Sequence, residues 1–433
     1  MGNYNGYNRF DLWESYFDLR SETEPPIVFH RWALVGCLSA WLGRSVWLPF
    51  GTQRIFPNQY IMFVGNPGSR KTTAINQAKS LIEGCGYDTY AADKTSKEKF
   101  LIDLSGMEVD LAPKTTRRQS ADEILEQFNV LDIEDGIPKE VFVVADEFND
   151  FMGNANIEFQ SLLGRFWDWD KESAAYSHRL KNSKAVNIYQ PTVNILSGNT
   201  PQGFADCFPL ASIGQGFMSR LILIHGEPSG KKFSEPPVPN KLQTEEIMSW
   251  FYQIRSKCKG PISKTQDAAD ALNLIYHSWP ELEDSRFGHY STRRYTHLLK
   301  LCIIFACARL STEINKQDVI RANTVLAYVE TNMPKAIGEL GTSRISQASN
   351  KIMQILYEAR QPKTVQELFK VVRNDLEKPA DLHSLLQNLL MAEKIQMITP
   401  ADNGKPGYLP KRDNISRKVM FVDMGYLKGR ELV

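Results

Sequence analysis

The sequence has almost no net charge: 51 Lys and Arg stand against 50 Asp and Glu, a formal +1 over 433 residues. Nucleic-acid binding through bulk charge is therefore not indicated, and any basic surface has to be local. Long apolar runs are missing too. The longest runs, such as VFVVA at 141–145 and LCIIFACA at 301–308, fall short of the ~20 residues that span a bilayer, so neither a membrane helix nor a membrane partner is expected. The N-terminus, MGNYNGYNRFDLWESYF, has no basic segment followed by an apolar one and lacks the Ser or Thr of a myristoylation signal. No signal peptide or lipid anchor is expected. Cysteine is scarce, and the six at 37, 85, 207, 258, 302 and 307 form no C-x-x-C pair. That fits reduced, buried thiols in a cytoplasmic protein and no zinc site. The seven His are scattered, none is assigned to a metal, and there is no internal repeat.

What remains is ordinary globular composition, 42% hydrophobic and 23% charged, in a chain long enough for roughly three domains at ~150 residues each. Residues 1–58 read as an N-terminal helical collar: FDLWESYFDLRSE, then Pro25-Pro26 in the first turn of IVFHRWALVGCLSAWLG, then an irregular strand. From 59 to 240, apolar β-type runs alternate with amphipathic segments, the pattern of an α/β core with a parallel sheet. Strands are predicted at 59–64, 141–146, 192–197 and 220–225, with a further one near 88–92, and 107–140 reads as an insertion. GEPSGKKFSEPPVPNK, at 226–241, has linker composition. Helical periodicity covers 241–345. The last part, 346–433, gives three helical segments, a strand IQMIT and a turn-rich tongue, the order of a winged helix.

Chemistry concentrates at strand ends. Gly65-Asn66-Pro67-Gly68-Ser69-Arg70-Lys71-Thr72-Thr73 lies between an apolar strand and a helix. A bound phosphate needs inward backbone N–H groups, a helix N-terminus, a Lys at the β/γ-phosphates and a hydroxyl on Mg²⁺, and this P-loop supplies all four. It departs from the usual pattern at Arg70, where Gly is common. The run Val141–Ala145 ends in Asp146 and Glu147, where Asp146 would hold the Mg²⁺ and Glu147 would take a proton from the attacking water. A third apolar run ends in Asn199, placed to orient that water as the residue called sensor 1. Arg220 opens the next strand; from there it cannot easily reach its own phosphate but can reach a neighbour's, as an arginine finger. The plainer alternative is a salt-bridged arginine at a strand start.

Between the second and third strands, AAYSHRLKNSKAVNIYQ at 174–190 reads as a β-hairpin carrying His178, Arg179, Lys181 and Lys184 and no acid. Such a tip would grip the phosphates of single-stranded DNA; the alternative is an exposed hairpin with solubilising charges. The aromatic run Phe166-Trp167-Asp168-Trp169-Asp170 reads as core or subunit interface.

These motifs, in this order, resemble the AAA+ ATPases, and among them the hairpin-bearing helicase clade of superfamily 3 and the minichromosome maintenance (MCM) proteins. GNPGSRKT is similar to the MCM-type loop, FMSRL to its Ser-Arg finger, and Ser291-Thr292-Arg293-Arg294-Tyr295 to the start of the helical lid, where Arg293 would be the sensor 2 arginine. The resemblance covers about residues 55–430. It implies an ATP- and Mg²⁺-dependent DNA helicase working as a homo-oligomeric ring, a hexamer. An MCM protein also carries a large zinc-bearing N-terminal domain, whereas residues 1–58 precede this core and the zinc ligands are missing. The compact layout instead resembles replication helicases of phages and mobile elements, which act in the bacterial host cytoplasm with a primase or polymerase on a separate domain or chain. Two alternatives stay open: an AAA+ loader or switch that does not translocate, and a winged-helix regulator. The helix at 380–395 carries few Arg or Asn for base edges, which counts against the regulator.

Overall fold

Four parallel strands form the sheet: β1 (Tyr60–Val64), β2 (Glu140–Ala145), β3 (Thr192–Asn199) and β4 (Leu221–His225), in the spatial order β2-β3-β1-β4. The computed structural model describes residues 10–106, 139–171, 175–179, 185–208, 216–282, 284–338, most of 348–398, 407–410 and 421–427. All of β1 and β3 is buried, which explains why their sequences run apolar without alternation. The register pairs Val64 with both Asn199 and His225, and Ala145 with Ser197, so the loops after all four strands share one edge. The strand expected near 88–92 is a single bridge, Tyr90 to Phe142, closed by two backbone hydrogen bonds, from the Phe142 amide to the Thr89 carbonyl and from the Ala91 amide to the Phe142 carbonyl.

The helix Ile27–Leu42 is apolar around its whole circumference and buried along its length, so it lies inside the core and is no peripheral collar. Pro26 stands just before it as N-cap instead of inside its first turn. Phe29 stacks on Phe63 of β1 with ring centroids 4.6 Å apart, and burial of each such side chain stabilises the fold by about 1.5–3 kcal/mol. Near the C-terminal end of the helix Ile27–Leu42, Trp41 donates its indole N–H to the Phe251 carbonyl of the helix Lys241–Lys257 at 2.7 Å. The helix Ile157–Trp167 accepts the Tyr60 hydroxyl at the Leu163 carbonyl, 2.7 Å.

Three further helices, Gln266–Ser278, Gly288–Ala308 and Lys316–Ile337, complete the predicted helical stretch. The segment after β4 is no loose linker: Lys231 donates to the Ser21 carbonyl at 2.6 Å and the Phe233 amide to Glu24 at 3.0 Å. All six cysteines are free and buried. No helix among the described residues is long and apolar enough to cross a membrane.

The chain divides into two compact units, one of residues 1–337 with 421–433 and one of residues 338–420. Phe421–Leu427, counted from sequence with the last domain, therefore belongs to the larger unit. There the Phe421 carbonyl accepts from Asn323 at 2.8 Å and Arg31 donates to the Tyr426 hydroxyl at 2.9 Å. In the smaller unit, the helices Val365–Val372 and Pro379–Met391 pack with a small antiparallel sheet of Lys363–Thr364, Gly407–Pro410 and Ile395–Ile398. Its core gathers Ile352, Leu356, Leu368, Leu382, Leu386 and Tyr408.

Candidate nucleotide site

At the carboxyl edge of the sheet, β1 leads into the P-loop and the helix Lys71–Gly84. Arg70 takes the left-handed conformation, φ 63°, at the N-cap, and no side chain caps the helix. The first N–H groups of a 14-residue helix thus face the loop mouth without an internal partner. Lys71 curls back over the loop, donating to the Gly65 carbonyl at 2.7 Å, the Asn66 carbonyl at 3.2 Å and Ser69 Oγ at 3.3 Å. Burial lowers its pKa, and the Glu147 carboxylate opposes that shift, which puts the two charges within electrostatic reach. Thr72 is half-buried, while Asn66, Pro67, Gly68 and Thr73 are exposed.

Asp146 and Glu147 follow β2 and are both exposed at this edge. Between them and the loop runs β3. A Cβ on Gly198 would stand 2.5 Å from the Asp146 carbonyl oxygen and 3.6 Å from Lys71 Cε, so only glycine lets the three segments meet. Asn199 closes β3, and its carbonyl accepts from the Gly65 amide at 3.3 Å. Its side chain is fully buried and occupied: Nδ2 donates to Asn149 Oδ1 at 2.9 Å, and Oδ1 accepts the Thr200 amide at 2.9 Å. The water-orienting role read from sequence therefore meets a carboxamide already spent on joining β3 to the helix Phe148–Met152. Asn149 had no sequence signal of its own.

Beside the loop opens a cleft of about 900 Å³, lined by residues 18–24, by Arg70, Asn76 and Gln77, and by the segment from Phe233 to Thr244. Arg70 Nε pairs with Glu24 at 2.5 Å, and Glu24 also receives the Phe233 amide at 3.0 Å. The residue that departs from the usual loop pattern thus links the P-loop to the wall of the cleft. These donors fit a nucleoside triphosphate with Mg²⁺: an ammonium and an open helix N-terminus for phosphate, Thr72 and Asp146 for the metal.

Arg220 and Arg293 stand elsewhere. Arg220 precedes β4, whose first residue pairs with Tyr60, so it sits at the amino edge of the sheet, roughly 13 Å away along β1 at ~3.3 Å per residue. There Arg220 donates through Nε to Asp168 Oδ2 at 2.9 Å, and Arg293 donates to Asp168 Oδ1 at 2.9 Å. The plainer alternative for Arg220, an ion pair, is thus present in the single chain. Arg293, expected with the lid, does not meet Lys71 either. Its neighbour Arg294 is buried and structural, paired with Glu330 at 2.7 Å.

The helix Gly288–Ala308 supplies more to this amino edge. Arg293, His297 and Lys300, spaced i, i+4, i+7, share one face. Burial lowers the His297 pKa to about 3, so the ring is neutral and its Nε2–H donates to the Ser219 carbonyl at 3.1 Å. Lys300 is buried with its ammonium on the Asn58 side chain at 2.5 Å, the Phe56 carbonyl at 3.0 Å and the Trp167 carbonyl at 3.4 Å. Sequence reasoning singles out none of Asp168, His297 and Lys300 for the site, although the R-x₃-H-x₂-K spacing is a visible signal.

The hairpin forms from Ala175–Arg179 and Ala185–Tyr189 in antiparallel register, Arg179 opposite Ala185. His178 is half-buried, its ring stacked on Tyr176 with centroids 6.4 Å apart. Lys181, Lys184 and the Arg179 side chain lie outside the described residues, as does most of the insertion at 107–140. Trp167 is buried, the core role expected of part of the aromatic run. No protein-family model matches the chain, and no curated protein matches it.

Proposed function

We propose that the chain is an ATP-driven AAA+ DNA helicase that translocates on single-stranded DNA as a homo-oligomeric, hexameric ring of the superfamily 3 and MCM-like type. One observation carries this reading. Within a single chain the phosphate-binding elements and the two arginines occupy opposite edges of the same sheet, so Lys71 and Arg220 serve one reaction only if a second copy brings its amino edge to the first copy's P-loop. A head-to-tail contact of that kind is heterologous and closes into a ring when its rotation permits.

In such a site Lys71 opposes the charge of the β- and γ-phosphates, and the open N-terminus of its helix directs N–H groups at the same oxygens. Thr72 and Asp146 would hold Mg²⁺, which would neutralise charge on those phosphates. Glu147 accepts the proton of the attacking water. The base and ribose occupy the cleft beside Arg70, between residues 18–24 and Phe233–Thr244. Arg220 and Arg293 of the neighbouring copy stabilise the charge that grows in the transition state. His178, Arg179, Lys181 and Lys184 of the hairpin contact the phosphates of the strand.

ATP turnover with and without single-stranded DNA, run beside a mass measurement in a non-hydrolysable ATP analogue, tests the reading. Turnover stimulated by the strand and a ring-sized mass are expected. A monomer whose turnover ignores DNA contradicts it.

A further inference from the structure

Both arginines pair with Asp168: Arg220 donates to its Oδ2 through Nε and Nη2, and Arg293 to its Oδ1 through Nη1. The two guanidinium groups both lie 5.9 Å from the Trp167 ring, and the Lys300 ammonium lies 4.3 Å from it. Two like charges brought this close repel unless an anion stands between them. Asp168 is that anion, and it follows Trp167, which is buried and tied through its carbonyl to Asn58 and Lys300. The carboxylate is therefore anchored to the amino edge of the sheet.

The surroundings are shaped for the same purpose. A Cβ on Gly216 would stand 2.8 Å from Arg220 Nη1, so a side chain there would make the guanidinium shift, and the Gly216 carbonyl accepts from it. Arg220 itself is only 12% exposed, against 34% for Arg293 and 36% for Asp168. One face of the helix Gly288–Ala308 delivers Arg293 to Asp168, His297 to the turn before Arg220, and Lys300 to Trp167. The two arginines, from segments far apart in sequence, are fixed relative to each other through one carboxylate.

We propose that Asp168 is a positioning residue for ATP hydrolysis in the adjacent subunit: it holds Arg220 and Arg293 as one preset pair, to be presented to a neighbour's phosphates. The proposal rests on the reading of Arg220 as a finger in trans. Asp168 touches no substrate. Its effect is on where the two cations stand, and a misplacement of about 1 Å at such a site costs on the order of 10²-fold in rate.

The test uses the full chain with Asp168→Asn, Arg220→Ala and Lys71→Ala. Asp168→Asn should bind ATP as the wild type does and lose about 10²-fold in kcat with KM changed less than about threefold. Mixed with Lys71→Ala protein it should regain turnover, because that partner carries an intact Asp168 and both arginines. Mixed with Arg220→Ala it should regain nothing, since both copies are defective donors. A general folding defect would not discriminate between these two partners. Asp168→Glu keeps the charge and serves if the Asn variant does not fold; its kcat should fall while its KM stays. Wild-type kcat in Asp168→Asn, or no recovery with Lys71→Ala under conditions where Arg220→Ala does recover, overturns the proposal. If Arg220→Ala itself turns over at the wild-type rate, the finger reading fails and takes the proposal with it.

Discussion

On the proposed reading, Lys71 and Glu147 are the two residues that separate binding from turnover. Lys71 sits on loop oxygens that a phosphate would replace as partners, and Lys71→Ala should weaken ATP binding by about 10²-fold, the equivalent of ~3 kcal/mol for charge-assisted contacts. Glu147 is exposed and makes no contribution to the loop's own hydrogen bonds. Glu147→Gln should therefore bind ATP within about twofold of the wild type and lose ~10²–10⁴-fold in turnover. Equilibrium titration with a labelled nucleotide beside a phosphate-release assay separates the two. Lys300 makes a different prediction. Burial lowers its pKa from 10.5 to about 7. Between those pH values the unfolded chain binds one proton more than the folded one, so this group makes stability rise with pH, by up to ~1.4 kcal/mol per unit. Below pH 7 both states hold the proton and its contribution levels off at its least favourable value. The wild type should accordingly gain stability relative to Lys300→Met from pH 7 to 9 in denaturant titrations. A pH-independent difference would show that the ammonium is not held as described.

At the scale of elements, the parts of the site that a strand end and a helix start determine locally are legible in the sequence. The loop at 65–73, the acids after β2 and the Asn after β3 all follow from apolar runs that stop at a polar residue, and the parallel register brings those ends to one edge. Three things are not legible, for the same physical reason: they depend on interactions between distant segments. The pairing of Asp168 with Arg220 and Arg293 spans 52 and 125 residues, the Asn199 carboxamide turns toward Asn149, and the linker-like stretch after β4 is held by residues 21–24. The helix at 27–42 is a different case, since its apolar circumference already requires burial and so argues against a collar from the sequence itself. The hairpin is the element whose function composition alone predicts. Lys181→Ala with Lys184→Ala should leave ATP binding unchanged and lower the salt dependence of single-strand binding by ~0.7 in log-log slope for each phosphate that is no longer neutralised. The variant should assemble and fail to unwind a forked duplex. Normal unwinding with an unchanged slope would make the hairpin ordinary solvated surface and favour a loader over a helicase.

For the whole molecule, the proposed reading turns on the placement of the P-loop and its acids at one edge of the sheet and of Arg220 and Arg293 at the other. In the proposed ring, a copy with Lys71, Asp146 and Glu147 at one edge and Arg220 and Arg293 at the other would be a donor and an acceptor at once. Arg220→Ala alone should keep ATP affinity and lose ~10³-fold or more in turnover, as finger arginines do. The most direct measurement is turnover in mixtures of Lys71→Ala and Arg220→Ala protein, each inactive by itself. In a random equal mixture, about a quarter of head-to-tail interfaces combine an intact P-loop with an intact arginine pair. Recovery of turnover that peaks near equal proportions is the predicted result, and no recovery at any ratio, with both variants folded and assembled, contradicts a site built from two copies.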